Sequence, residues 1–389
     1  MLQPVKDLLF RMKDTSELIV DLAYSAILFD NEDIAEEVLE LERKLHDLLD
    51  DTRVSSILAA RRIDEAEAVS GVLQVANATE KIGNAAGDIA ALVLRGFKLP
   101  RDMIKMILAT AEETIVKTVV PDDSRVADKT INKTKIHTMT GMRIIAIKRG
   151  FEWIFNPTKD TKILKGDVIF ARGDVTCVPK FLEFIGNKCK PQYTIPEIKI
   201  ENLERAVKIL IKMKNLSELA VDLAYLALLH KNEEVAQEVV YLEEEIDDLR
   251  YELQHWVLGS SRYYEDYEKI KPLMAILEIA YASEIIADSA RDIAELLLKK
   301  AKIHPILKDI IMGSDEIVTL VEVKSGSKLS NKTLGELKVE TNTGMHIVAI
   351  KRGNKWITRP TASTKILAND VLVAKGTKEG EALLKKICQ

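Results

Sequence analysis

The chain contains itself twice. Met12-Lys-Asp-Thr-Ser-Glu-Leu-Ile-Val-Asp-Leu-Ala-Tyr24 returns as Met213-Lys-Asn-Leu-Ser-Glu-Leu-Ala-Val-Asp-Leu-Ala-Tyr225, and residues 12–46 share 19 identities in 35 positions with residues 213–247. Farther on, Gly141-Met-Arg-Ile-Ile-Ala-Ile-Lys-Arg-Gly150 returns as Gly344-Met-His-Ile-Val-Ala-Ile-Lys-Arg-Gly353. The blocks keep their order at offsets of 201 and 203 residues, a period far longer than that of a solenoid repeat, about 20–50 residues. A whole two-part unit is therefore duplicated.

Each unit changes character midway. Residues 1–112 carry apolar positions at helical spacing, with no proline between Pro4 and Pro100, which predicts antiparallel helices in a bundle. Residues 113–190 carry the β-branched runs Thr114–Val120, Ile144–Ile147 and Val168–Phe170, separated by the turn signals Pro121-Asp-Asp, Arg149-Gly, Asn156-Pro and Lys165-Gly-Asp, which predict a small α/β module. A linker with Pro191 and Pro196 follows, and the pattern repeats. The expectation is an α+β chain of four domains: a bundle over 1–112, a module over 113–190, a linker and second bundle over 191–312, and a second module over 313–389.

Composition narrows the function. A net charge of −5 argues against nucleic acid as a partner. Three cysteines, Cys177, Cys189 and Cys388, are an odd set without metal-ligand spacing, so a reducing cytosol is expected rather than a disulfide framework. The longest apolar runs, such as Leu22–Phe29, are too short to span a bilayer, and Met1–Asp14 lacks the apolar stretch of a signal peptide. There is no P-loop, no Gly-x-Gly-x-x-Gly and no His-Glu-x-x-His, nor a nucleophile with a base in a recognisable motif. The chain is expected not to be an enzyme.

The β-rich module resembles the TrkA-C (RCK-C) domain of cytosolic regulators of potassium channels and transporters. The residues that carry the likeness are Lys332-Thr-Leu-Gly-Glu-Leu337, Gly344–Gly353, Pro360, Thr364, Leu367 and Asp370–Gly376. In the first copy they are Gly141–Gly150, Pro157, Thr161, Leu164 and Gly166–Gly173. The helical part resembles PhoU, through Glu80, Asn84 and Asp88 in one copy and Glu284, Asp288 and Asp292 in the other. The order bundle–module–bundle–module is similar to archaeal fusions of the two domains. The resemblance implies a cytoplasmic regulatory subunit, peripheral to the membrane through a channel or transporter partner. It also implies TrkA-C pairing, as an intramolecular pseudo-dimer or a homodimer, around a small anionic ligand such as a cyclic dinucleotide. The rival reading is a metal-binding PhoU-like regulator of phosphate uptake.

Two sets of side chains stand out as candidate sites. Carboxylates at i, i+4 and i+8 form one stripe on a helix and suit oxygen-seeking cations. The stripe residues Glu80, Asp88, Glu284, Asp288 and Asp292, with Glu17, Asp21, Glu218 and Asp222, are the candidate ligands of a divalent or iron-type metal. Glu17 and Asp21 are the only charges between residues 15 and 29, in a helix apolar on nearly every side, and such a helix is buried. Their alternative role is pairing with a Lys or Arg of another helix, or facing water at a bundle end. Gly83 and Gly87, costly in mid-helix, point to another helix approaching closely. Arg149 and Arg352 end apolar strands at a turn, and a guanidinium there suits bidentate phosphate binding; the plainer alternative is a solvated hairpin.

Overall fold

Helices from the two copies of the repeat are packed together in the computed structural model, which describes residues 4–59, 62–110, 113–187, 200–313, 316–353, 355–358 and 360–389. In chain order the elements are α1 (Val5–Phe29), α2 (Glu32–Ala59), α3 (Ile63–Leu94), α4 (Arg101–Thr110), β1 (Glu113–Val119), α5 (Ile131–Thr134), α6 (Ile136–Thr140), β2 (Arg143–Arg149), β3 (Glu152–Phe155), β4 (Val168–Asp174) and α7 (Val178–Ile185). The second copy has α8 (Glu201–His230), α9 (Glu233–Ser261), α10 (Tyr267–Leu298), α11 (Ile306–Gly313), β5 (Ile317–Glu322), α12 (Leu334–Leu337), α13 (Val339–Thr343), β6 (Met345–Arg352), β7 (Lys355–Thr358), β8 (Val371–Gly376) and α14 (Lys378–Cys388). They form two compact units: one gathers the helices on either side of the first module, the other gathers the two modules. The expected linker at Pro191 and Pro196, and Cys189, lie outside the described residues.

In the helical unit, α1, α2 and α3 pack as one bundle and α8, α9 and α10 as another, with α3 against α10. The short helices cross over, α4 to α8 and α11 to α1. Because α1 is covered by α2, α3 and α11, every residue from Leu18 to Leu28 is buried, Asp21 included. The two glycines of α3 mark the approach of α2. A β-carbon on Gly83 would lie 2.4 Å from a Leu45 methyl, and one on Gly87 would lie 2.1 Å from the Glu42 carboxylate.

The acids of α1 and α8 have a partner closer than the sequence suggested, on their own helix. Lys13 lies 2.6 Å from Glu17, and Lys214 lies 2.7 Å from Glu218, all four side chains largely buried. Each ammonium also sits over a tyrosine of the other copy, Lys13 at 5.4 Å from the Tyr225 ring and Lys214 at 5.2 Å from the Tyr24 ring, an arrangement that stabilises a desolvated cation. The tyrosine hydroxyls cross the same boundary, Tyr24 to Ser283 at 3.2 Å and Tyr225 to Thr79 at 3.1 Å. Burial, then the charge of Glu218, pushes the Tyr24 hydroxyl above its usual range, so it stays neutral. The four contacts obey one pseudo-two-fold relation.

Each module is a four-stranded antiparallel sheet, in the order β1-β4-β2-β3 and again β5-β8-β6-β7. The apolar strand faces are buried around Ile147, Ile169 and Phe181 in one module and Ile350, Leu372 and Leu384 in the other. Two short helices precede each central strand, joined by a left-handed residue, Lys135 or Lys338, and ended by a left-handed glycine, Gly141 or Gly344. The modules meet through α6 and α13. Gly344, at φ +71°, is closed in by Thr138, whose Cα would lie 2.9 Å from an added β-carbon.

Removing one member of a buried ion pair leaves the other charge stranded. Lys13→Ala is expected to lower the unfolding free energy of the helical unit by about 3 kcal/mol, read by urea denaturation followed by circular dichroism. A loss of only a few tenths of a kcal/mol, the value of an exposed pair, would show that Glu17 is solvated.

Candidate functional site

The module pair is built around a carboxylate. Glu316, just before β5, accepts hydrogen bonds from Arg172 of β4 at 2.6 Å and Arg143 of β2 at 3.1 Å. His137 of α6 stands 4.0 Å away. Burial alone would raise the Glu316 pKa, but Arg172, Lys375, Arg143 and His137 outweigh it and hold the acid well below the usual carboxylate range. Two further bonds cross the interface: Lys180 of α7 donates to the Thr341 carbonyl, and the Thr138 and Thr377 hydroxyls lie 3.3 Å apart.

Beside this hub, between the modules, lies a cavity of about 570 Å³. Module one contributes the segment from Asp174 through Lys180 to Glu183; module two contributes α12, α13, the start of β6 and the Pro360–Ala362 turn. That volume falls within the range of small-molecule sites. The lining mixes cationic Lys180 and Lys338 with Asp174, Glu183, Glu340 and His346, so it offers both donors and acceptors. Burial lowers the Lys180 pKa, a sign that its charge lacks full solvation there. Sequence reading passed over these residues. The one available signal was that the Gly-Met-Arg and Gly-Met-His copies differ at the position that faces the other module.

Arg149 and Arg352 do not reach this cavity. Each closes a loop inside its own module. Arg149 forks onto Asp167 at 2.9 and 2.8 Å and donates to the Lys162 carbonyl at 2.7 Å; Arg352 does the same with Asp370, at 2.8 Å twice, and with the Lys365 carbonyl at 2.6 Å. Both aspartates are buried and also accept a backbone N–H, from Leu164 and Leu367. The bidentate geometry expected for a phosphate is thus met by a carboxylate of the fold. Trp153, which follows the turn, stacks on Phe155 at 5.2 Å and packs on Phe170.

The acidic stripes face their neighbouring helices differently in the two bundles. In the first, Glu80 lies 3.3 Å from His46 of α2, and Glu42 of α2 comes in over Gly87. Burial, then the charges of Asp88 and Glu80, raises the Glu42 pKa. In the second, Arg291 stands where the first has Gly87, and it binds Glu243, the counterpart of Glu42, at 2.8 Å. Asp292 meets Lys81 at 2.8 Å, and Glu284 faces Arg250 at 3.7 Å. Glu17 and Glu218 are held by lysines as described, and Asp21 and Asp222 are buried. Among the described residues, these acids do not bring three ligand atoms within 4.8 Å of one another; Asp174, Glu340 and His346 do.

The PhoU domain model matches residues 9–93 and 210–297, and the TrkA-C domain model matches residues 115–186 and 318–389. The chain carries PhoU and TrkA-C domains, each twice, in alternation. The cavity and the Glu316 hub therefore belong to its paired TrkA-C domains, the stripes to its PhoU domains. Among curated proteins, the chain is similar to the Ktr system potassium uptake protein C of Bacillus subtilis, 30% identical over 92 residues, which cover 24% of this chain and 41% of that protein. It is also similar to Potassium channel protein 1 of Methanocaldococcus jannaschii, 38% identical over 64 residues, or 16% of this chain and 19% of that one. The chain thus spans less than half the length of each. Among solved structures, the RCK_C domain dimer of S. agalactiae BusR in complex with c-di-AMP is 28% identical, with 19% of this chain and 93% of that chain covered and a TM-score of 0.19. No helix among the described residues is long and apolar enough to cross a membrane.

The depressed pKa of Glu316 sets a pH dependence. Its contribution is complete above the ordinary carboxylate pKa, about 4.3, and is lost as pH falls through the lower folded-state value. Glu316→Gln is expected to melt earlier than wild type at neutral pH, with the gap closing in acid. Melting curves that stay parallel down to about one unit below that ordinary pKa would show that the carboxylate does not hold the pair together.

Proposed function

We propose that this chain is a regulatory subunit of a membrane potassium or cation channel or transporter, acting at the cytoplasmic side, and that it senses a small anionic ligand between its TrkA-C domains. The observation that carries the reading is the cavity lined by both domains. A ligand that touches both domains favours the arrangement that holds both sets of contacts, and a regulator needs such a difference in affinity between states. Lys180 and Lys338 supply the positive charge, and α12, α13 and the Pro360 turn supply the walls. The potassium-transport proteins to which the chain is similar support the choice of partner.

The test is a thermal-shift and calorimetric titration of the purified chain with cyclic di-AMP, the ligand suggested by the domain resemblance, and with ATP, NADH and inorganic phosphate as comparisons. A ligand at 100 times its dissociation constant stabilises the native state by about 2.7 kcal/mol, a readable shift. Lys180→Ala and Lys338→Ala are expected to weaken a nucleotide about tenfold each, while Arg149→Lys leaves it unchanged. Binding that survives both cavity variants, or no binding, would set the reading aside.

One observation favours the second reading, a metal-binding PhoU-like regulator of phosphate uptake. In the first PhoU domain the Glu42 carboxylate lies over Gly87 and feels the charges of Asp88 and Glu80, whereas in the second Arg291 stands at the corresponding position and pairs with Glu243. A carboxylate whose pKa is raised by burial and then by neighbouring acids is costly when ionised, and a cation relieves that cost. Glu42→Gln is therefore expected to raise the melting temperature at neutral pH without added metal. That gain should vanish in acid, where Glu42 is protonated anyway. A neutral or negative effect at neutral pH would argue against accumulated charge.

A further inference from the structure

We propose that Asp174, Glu340 and His346 form a binding site for one divalent transition-metal ion of the zinc type, joining the two TrkA-C domains. The three side chains are half-buried and reach one point from different elements. His346 is the second residue of β6, Glu340 lies on α13 in the same module, and Asp174 ends β4 of the other module. His346 Nδ1 lies 2.9 Å from Glu340 Oε2 and 3.7 Å from Asp174 Oδ2, and the three ligand atoms all fall within 4.8 Å of one another. Two ligand atoms each about 2.1 Å from a tetrahedral zinc ion lie about 3.4 Å apart. The two separations from His346 bracket that value, and the third, between the carboxylates, lies within 4.8 Å. One imidazole and two carboxylates are a donor set for zinc and its neighbours rather than for magnesium or calcium, which prefer oxygen alone. The adjoining cavity supplies water for the remaining coordination position.

Two features orient the donors. Asp174 Oδ1 is tied to the Thr176 backbone N–H at 2.6 Å, which leaves Oδ2 facing His346. Lys375, the cross-strand neighbour of His346, and Arg172 direct their charge to Glu316. The pseudo-two-fold relation provides an internal comparison. The residues corresponding to Asp174, Glu340 and His346 are Thr377, His137 and Arg143. Arg143 cannot ligate a cation and is committed to Glu316. The chain therefore has this donor set on one side of the module interface and a guanidinium on the other, which predicts one ion per chain.

The proposal does not depend on the small-ligand reading, and its test uses no nucleotide. Chelator-treated full-length protein is titrated calorimetrically with Zn²⁺, and Co²⁺ is added in parallel to read imidazole ligation from its visible spectrum. One site per chain is expected, with affinity reduced at least a hundredfold in His346→Ala and at least tenfold in Asp174→Asn. Arg149→Lys, whose contacts stay within its own module, should retain it. Glu80→Gln and Asp88→Asn should also retain it, which separates this site from any metal on the PhoU domains. His346→Gln, which keeps volume and hydrogen bonding, guards against a mere loss of folding: it should melt like wild type without metal and lose the zinc-induced rise in melting temperature. No zinc uptake overturns the proposal, as does uptake equal in wild type and His346→Ala or lost only in the PhoU-domain variants.

Discussion

A buried carboxylate has to be neutralised, and Glu316 is neutralised from the other copy of the repeat. Its arginines are 144 and 173 residues away in the chain. Within the pair, losing either the acid or Arg172, itself buried, would strand the other charge, at a cost of several kcal/mol. The ion pair thus ties the two modules to one arrangement. The cavity between them exists because the pairing holds both walls in place.

The helical unit follows the same logic with different chemistry. Lys13 and Lys214 each satisfy an acid on their own helix and a tyrosine face on the other copy, while the tyrosine hydroxyls find Ser283 and Thr79 across the same boundary. Polar groups buried at such a seam are tolerated only where they are matched. Their matching fixes which helices meet, since apolar faces alone would pack in several registers. Both units are therefore assembled by cross-copy contacts.

The duplication, the alternation of helical and β-rich segments and the burial of the Glu17–Asp21 helix were legible because each is a pattern along the chain. Gly83 and Gly87 announced the approach of α2, since a mid-helix glycine is costly without such a reason. The partners of the charged groups were much less legible. Glu17 pairs one turn back on its own helix, Arg291 reaches across to Glu243 of α9, and Arg149 is occupied by Asp167, 18 residues later and just before β4. Side-chain pairing depends on three-dimensional approach, which spacing does not report. The cavity residues went unseen for the same reason: Asp174 and His346 are 172 positions apart in sequence, and spacing along the chain gives no sign that they meet.

In a homodimer every substitution appears on both sides of the axis, so a pocket on that axis must stay symmetric or be lost. Fusion of the two copies lifts that restriction. The exchange of arginine for histidine between residues 143 and 346 is one product of this freedom: one flank of the interface keeps a cation to hold the modules together, and the other is released for different chemistry. A protein built this way can evolve towards ligands that have no two-fold symmetry of their own, one codon at a time, without first giving up the contact that holds its halves together.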